Sequence, residues 1–120
     1  MPPKASSSSV KIISLDREKL LANLRRIADT IKREHPEVIE VRLFGSLARG
    51  DQTGTSDADI LVLLDNTNEN DPHRRILTFL PYFDLGRGVD LLVYTRNELE
   101  QRLSKGDRNL KRILTESLAL

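Results

Sequence analysis

Residues 43–65, LFGSLARGDQTGTSDADILVLLD, decide how this chain is read. A glycine–serine turn leads into two acids one residue apart, and these open a long aliphatic run. Carboxylates beside buried apolar surface are costly unless something positive neutralises them. The stretch therefore predicts a strand, ADILVLL (58–64), apolar enough to be covered on both faces, with a charged site at its mouth.

The neighbouring segments build outward from that strand. VIEVRLF (38–44) alternates, and a regular strand would turn Ile39, Val41 and Leu43 toward the core. Gly45-Ser46 breaks it, SLAR starts a short helix, and GDQTGTS (50–56) is turn-rich. Gly86 and Gly88 make a turn before VDLLVYT (89–95), a third strand. Residues 16–34 have Leu20, Leu24, Ile27 and Ile31 at helical spacing, widened by Leu21 and Ala28. Asp16 suits the N-cap there, and Leu15 with Leu20 suit a hydrophobic staple. His35-Pro36 ends that helix, because the residue before proline is pushed out of helical geometry. Asp71-Pro72 opens another helix through about Leu80, and Thr95-x-x-Glu98 is a capping-box pattern for one carrying Leu99 and Leu103. Asp107 caps a last helix with Leu110, Ile113, Leu114 and Leu118 on its buried side. The order predicts an α+β fold: a small mixed sheet with helices packed mainly on one side.

The 120 residues suit one small domain: a disordered tail over 1–14 and a single folded unit over 15–120. Hydrophobic content of 38% with 31% charged residues fits a soluble protein, and no apolar run is long enough to span a bilayer. MPPKASSSS lacks the apolar centre of a signal peptide, and the absence of cysteine removes disulfides and thiolate metal sites. A cytoplasmic location is expected from this. A net charge of +1 argues against a dedicated nucleic-acid binder, since neutralising phosphates needs clustered Lys and Arg. Distribution says more than the sum: between Asp51 and Asp71 lie only acids among the charged residues, and two of them touch the apolar strand.

Gly45 and Gly50 are spaced as in a P-loop, but Asp51 stands where that motif needs lysine, and a carboxylate there repels phosphate. What remains is a turn at Gly45-Ser46, either an ordinary one or one whose glycine, free N–H groups and hydroxyl hold terminal phosphates. In extended chain Asp57 and Asp59 point the same way. They either cap a turn or share a hard cation such as Mg²⁺, for which oxygen ligands are suited. Asp90 sits at the start of another strand, again at the edge of an apolar run. It is either a turn acid or, if the strands are neighbours, the third carboxylate beside Asp57 and Asp59. Three such groups could hold two Mg²⁺ ions about 3.5–4 Å apart, as in-line displacement at phosphorus uses. His35 and His73 have no partner at metal-ligand spacing and read as surface residues. Tyr82 and Phe83 read as packing residues, with base stacking as the other option.

GSLARGDQTGTSDADI together with GVDLLVY resembles the nucleotidyltransferase signature of the DNA polymerase β-like superfamily. Within it, the GSxARG…SDxD form is similar to the minimal nucleotidyltransferase (MNT) antitoxins paired with HEPN-domain toxins. The likeness runs from about residue 17 to the closing RILTESLAL, with Ile60 in place of the leucine common after the second acid. It implies that Gly45 and Ser46 grip the β- and γ-phosphates of ATP. It implies also that Asp57 and Asp59 ligate two Mg²⁺ ions, and that Asp90 ligates the catalytic one and helps deprotonate the acceptor. Arg49 lies in the motif, as a phosphate contact or as a structural partner of Asp51; Ser56 reads as a turn cap.

The resemblance implies a protein adenylyltransferase that modifies a HEPN toxin, on a tyrosine, within a hetero-oligomer. The chain's shortness favours a protein acceptor over relatives that carry an additional domain. Two other readings stand beside it: transfer to a small molecule such as an aminoglycoside, and an antitoxin that acts by binding alone. The basic residues Arg102, Lys105, Arg108, Lys111 and Arg112 are a partner surface or a solvated helix face.

Overall fold

The computed structural model describes residues 2–50 and 57–120, with only the backbone course used for residues 2–16. The elements in order are α1 (Pro2–Glu34), β1 (Val38–Phe44), α2 (Gly45–Arg49), β2 (Ala58–Leu64), α3 (Pro72–Phe79), a 3₁₀ turn (Leu80–Tyr82), β3 (Val89–Thr95), α4 (Arg96–Ser104), α5 (Arg108–Glu116) and β4 (Leu118–Ala119). The turn expected over 50–56, the Ser56 cap and an Arg49–Asp51 pair involve residues outside those described.

Four strands form one mixed sheet in the order β3-β2-β1-β4. β2 lies between an antiparallel β1 and a parallel β3, with Phe44 opposite Asp59 and Asp59 opposite Asp90. The expected run of aliphatics in β2 follows from this central place: Ala58, Ile60, Leu61, Val62 and Leu64 are all buried. The main core gathers on one side, where Val41 and Leu43 of β1, Ile60 and Val62 of β2, and Leu91 and Val93 of β3 meet α1 and Phe79 of α3. On the other side the Arg102 guanidinium of α4 lies 4.8 Å above the Tyr94 ring.

Several expectations change. The helix expected to begin at Asp16 runs from Pro2 to Glu34; after Pro3 it contains no helix breaker, and proline is tolerated in a first turn. Its buried stripe is Leu21, Leu24, Ala28 and Ile31, with Leu20 and Ile27 only partly covered. In β1 the pairing register slips between Val38 and Glu40, and this bulge turns Val38 inward in place of Ile39. Finally, α5 stops at Glu116, and Leu118 pairs with Leu43 in a fourth strand rather than extending the helix.

Capping follows the sequence closely. Asp71 accepts from the His73 N–H and Asp107 from that of Leu110. Thr95 and Glu98 form the reciprocal capping box. Glu98 also pairs with Arg75, which is 4% exposed and donates to the carbonyls of Glu69 and Val93. This arginine holds the Glu98 carboxyl below its usual range, assisted by the Thr95 N–H and hydroxyl. His35, expected at the surface, is half-buried: its ring packs edge-on against Phe79, and its Nε2 lies 3.1 Å from the Tyr82 hydroxyl. That hydroxyl donates to Glu34 at 3.0 Å, so Tyr82 is engaged with the end of α1. Phe83 is buried in the core.

Candidate active site

All three acids named from the sequence lie where β2 and β3 begin. Asp57 immediately precedes β2, and Asp59 and Asp90 are the second residues of their strands and direct partners across the parallel pair. Two glycines back them. A Cβ on Gly45 would stand 2.1 Å from Asp59 Oδ2, and one on Gly88 2.4 Å from Asp57 Oδ1. Asp59 and Asp57 thus each rest against a glycine whose missing Cβ leaves room for the carboxylate. Gly45 also has φ +73°, in the left-handed region, which lets β1 turn sharply into α2. Gly88 is fixed by its carbonyl, which accepts from the Ala58 N–H at 2.9 Å.

Electrostatics record the crowding. Burial, then the charge of Asp90 and a hydrogen bond with its carboxyl, then the charge of Asp57, push the Asp59 pKa up to about 6; Arg49 opposes them. Asp59 and Asp90 are therefore in side-chain contact, while Asp57 and Arg49 act on Asp59 through space. Arg49 itself pairs with Glu116 at 3.2 Å, which places the end of α5 beside the turn. Among the described residues, no three acidic, histidine or cysteine side chains are already drawn together into a metal-holding group. The donor set nonetheless suits a hard divalent cation. It consists of carboxylate oxygens, with burial, Asp90 and Asp57 all raising the pKa of Asp59, and the lining contains no soft ligand.

Two local features of the site escape sequence reading. The glycine before Asp90 serves Asp57, not its own strand neighbour, and only the β2–β3 register reveals this. Arg17, from α1, donates to the carbonyls of Leu47 and Ala48 in α2 at 3.0 and 3.2 Å. No local pattern links positions thirty apart.

With an acid cluster of this kind at the strand mouths beside a glycine-backed turn, the fold can be set against known proteins. The nucleotidyltransferase domain family matches residues 24–119, and the chain belongs to that family. Among solved structures, a "putative nucleotidyltransferase" from Sulfolobus solfataricus is similar, with a TM-score of 0.63 and 27% identity over 74% of this chain and 78% of that one. No curated protein matches the chain. Family and fold together support a nucleotidyl transfer activity. No helix among the described residues is long and apolar enough to cross a membrane.

Proposed function

We propose that this protein is a Mg²⁺-dependent adenylyltransferase that moves AMP from ATP to a hydroxyl, on a tyrosine, of a partner HEPN-domain toxin, and so acts as its antitoxin. The observation that carries the catalytic part is the Asp59–Asp90 pairing across β2 and β3 with Asp57 acting on the same carboxyl. The acceptor and the partner are supported by the resemblance of GSLARG and SDAD to the MNT antitoxins.

Asp57 and Asp59 would hold two divalent ions, and Asp90 would share in the one nearer the acceptor. When bound, these ions neutralise charge on the triphosphate and make the acceptor hydroxyl more acidic. The chain supplies the rest. The Gly45–Ser46 turn, with the serine hydroxyl and backbone N–H groups, grips the β- and γ-phosphates. Arg49 adds a positive charge on the same side of the acids. Asp90 accepts the proton of the acceptor hydroxyl, whose oxygen bonds to the α-phosphorus as the bond from that phosphorus to the bridging oxygen breaks. Pyrophosphate leaves with the bonding pair.

The test is intact-mass measurement of the co-expressed partner after incubation with ATP and Mg²⁺. The expected result is a gain of one or more AMP units that Asp57→Asn abolishes, with loss of protection from the toxin. An unmodified partner that is still bound and neutralised would overturn the enzymatic reading in favour of binding alone. Label from ATP found on an aminoglycoside rather than on the protein would replace the acceptor.

A further inference from the structure

α2 is only one short turn, and its hydrogen bonding cannot hold it in place. Gly50 N–H closes on the Ser46 carbonyl at 2.9 Å, but the last carbonyls of a helix have no partner within it. No side chain caps its start, at Phe44. Its end is held from elsewhere: Arg17 donates Nε to the Leu47 carbonyl and Nη2 to that of Ala48. Charged donors make these bonds stronger than neutral ones, and a cation there also complements the helix end. Arg17 precedes the buried Leu21 by four positions, on the same helical face, so its base is anchored on the core. It also lies ahead of the stretch 24–119 that the family shares.

We propose that Arg17 is a positioning residue: it locks the Gly45–Arg49 turn to the core so that Ser46 and Arg49 stand at a fixed distance from the three aspartates. The inference rests on the nucleotidyl-transfer reading above. Leu47 and Ala48 are buried and face the core. Arg49 on the same turn already acts on Asp59 and reaches Glu116 at 3.2 Å. The turn is therefore seated by apolar contacts and braced at its end by Arg17.

The experiment compares wild type, Arg17→Ala, Arg17→Lys and Ile27→Ala, the last a partly buried position on the same helix that serves as a stability control. Each is assayed well below its own unfolding temperature for kcat and KM toward MgATP, and for amide exchange at residues 46–50. Displacing a binding group by about an ångström can cost up to about a hundredfold. Arg17→Ala is expected to raise KM roughly tenfold or more, with a smaller change in kcat, and to speed exchange in α2. Arg17→Lys should recover part of the KM, and Ile27→Ala should leave KM unchanged. An active wild type whose Arg17→Ala variant keeps its KM and exchange rates would overturn the clamp alone. So would an equal rise in KM for Ile27→Ala. A wild type that neither binds nor turns over nucleotide would instead sink the reading on which the clamp rests.

Discussion

Replacing Gly88 with alanine separates the acid cluster from the fold that carries it. The added Cβ would lie 2.4 Å from Asp57 Oδ1, 2.8 Å from its Cγ and 3.1 Å from Oδ2. Relief needs a shift of about 1 Å, because non-bonded heavy atoms are at ease near 3.5 Å or beyond. The obstructing atoms are the end of a side chain at an exposed residue, so the carboxylate can swing away while the backbone stays. The φ of Gly88 is not positive, so alanine meets no strain of that kind. Stability should change by less than about 1 kcal/mol, in either direction. The activity cost is larger, since a displacement of about 1 Å in a catalytic constellation can lower the rate by up to about a hundredfold. Pyrophosphate release gives the rate, and urea unfolding gives the stability. A variant with full activity and an unmoved Asp57 would refute the packing argument. One that unfolds would show that Gly88 serves the backbone instead.

Gly45→Ala should lose activity and stability together, because the new Cβ would strike Asp59 Oδ2 and the φ of +73° adds about 1–2 kcal/mol of strain; thermal unfolding and turnover read both. The raised Asp59 pKa makes metal-free stability pH-dependent: the folded state holds a proton between the ordinary 3.8 and about 6 that the unfolded chain releases. Its contribution is therefore full below pH 3.8 and lost as pH rises through 6, by about 1 kcal/mol once solvent screening reduces the roughly 3 kcal/mol that two pKa units represent. Asp90→Asn should flatten that slope in urea titrations, and an unchanged slope would place the cause outside the acid pair. Arg75→Ala should cost about 3 kcal/mol in chemical unfolding, the low end for breaking a buried ion pair, because Glu98 keeps 34% of its side chain in solvent. Chelation with EDTA should bring transfer to background and added Mg²⁺ should restore it, whereas transfer that survives chelation would remove the metals from the mechanism.

What the sequence made legible were features marked locally. β2 and β3 are aliphatic runs bounded by acids and glycine turns, and they appear where expected, with Asp59 and Asp90 in register. The caps at Asp71, Thr95 and Asp107 are set by side chains two or three positions from their partners, so pattern alone finds them. What stayed hidden depends on chain segments far apart. The β1 bulge exists only in relation to β2, and it alone brings Val38 inside. β4 is two residues long and is a strand solely because Leu43 and Arg42 pair with it. Arg75 reads as one basic residue among several on a helix, yet it is buried because Glu98 and two carbonyls satisfy it. Arg17 reads as an ordinary solvated arginine before α2 is in place.

The ion pair between α3 and α4 also bears on how the sheet ends. β3 is an outermost strand, and unpaired edge backbone is a template onto which another chain can add. Here the Val93 carbonyl accepts from Arg75 and the Thr95 N–H donates to Glu98, so two of the groups a foreign strand would need are already taken. The opposite margin, β4, is too short to offer a ladder. An added strand would therefore meet a broken ladder at the Thr95 end of β3 and only two residues at β4.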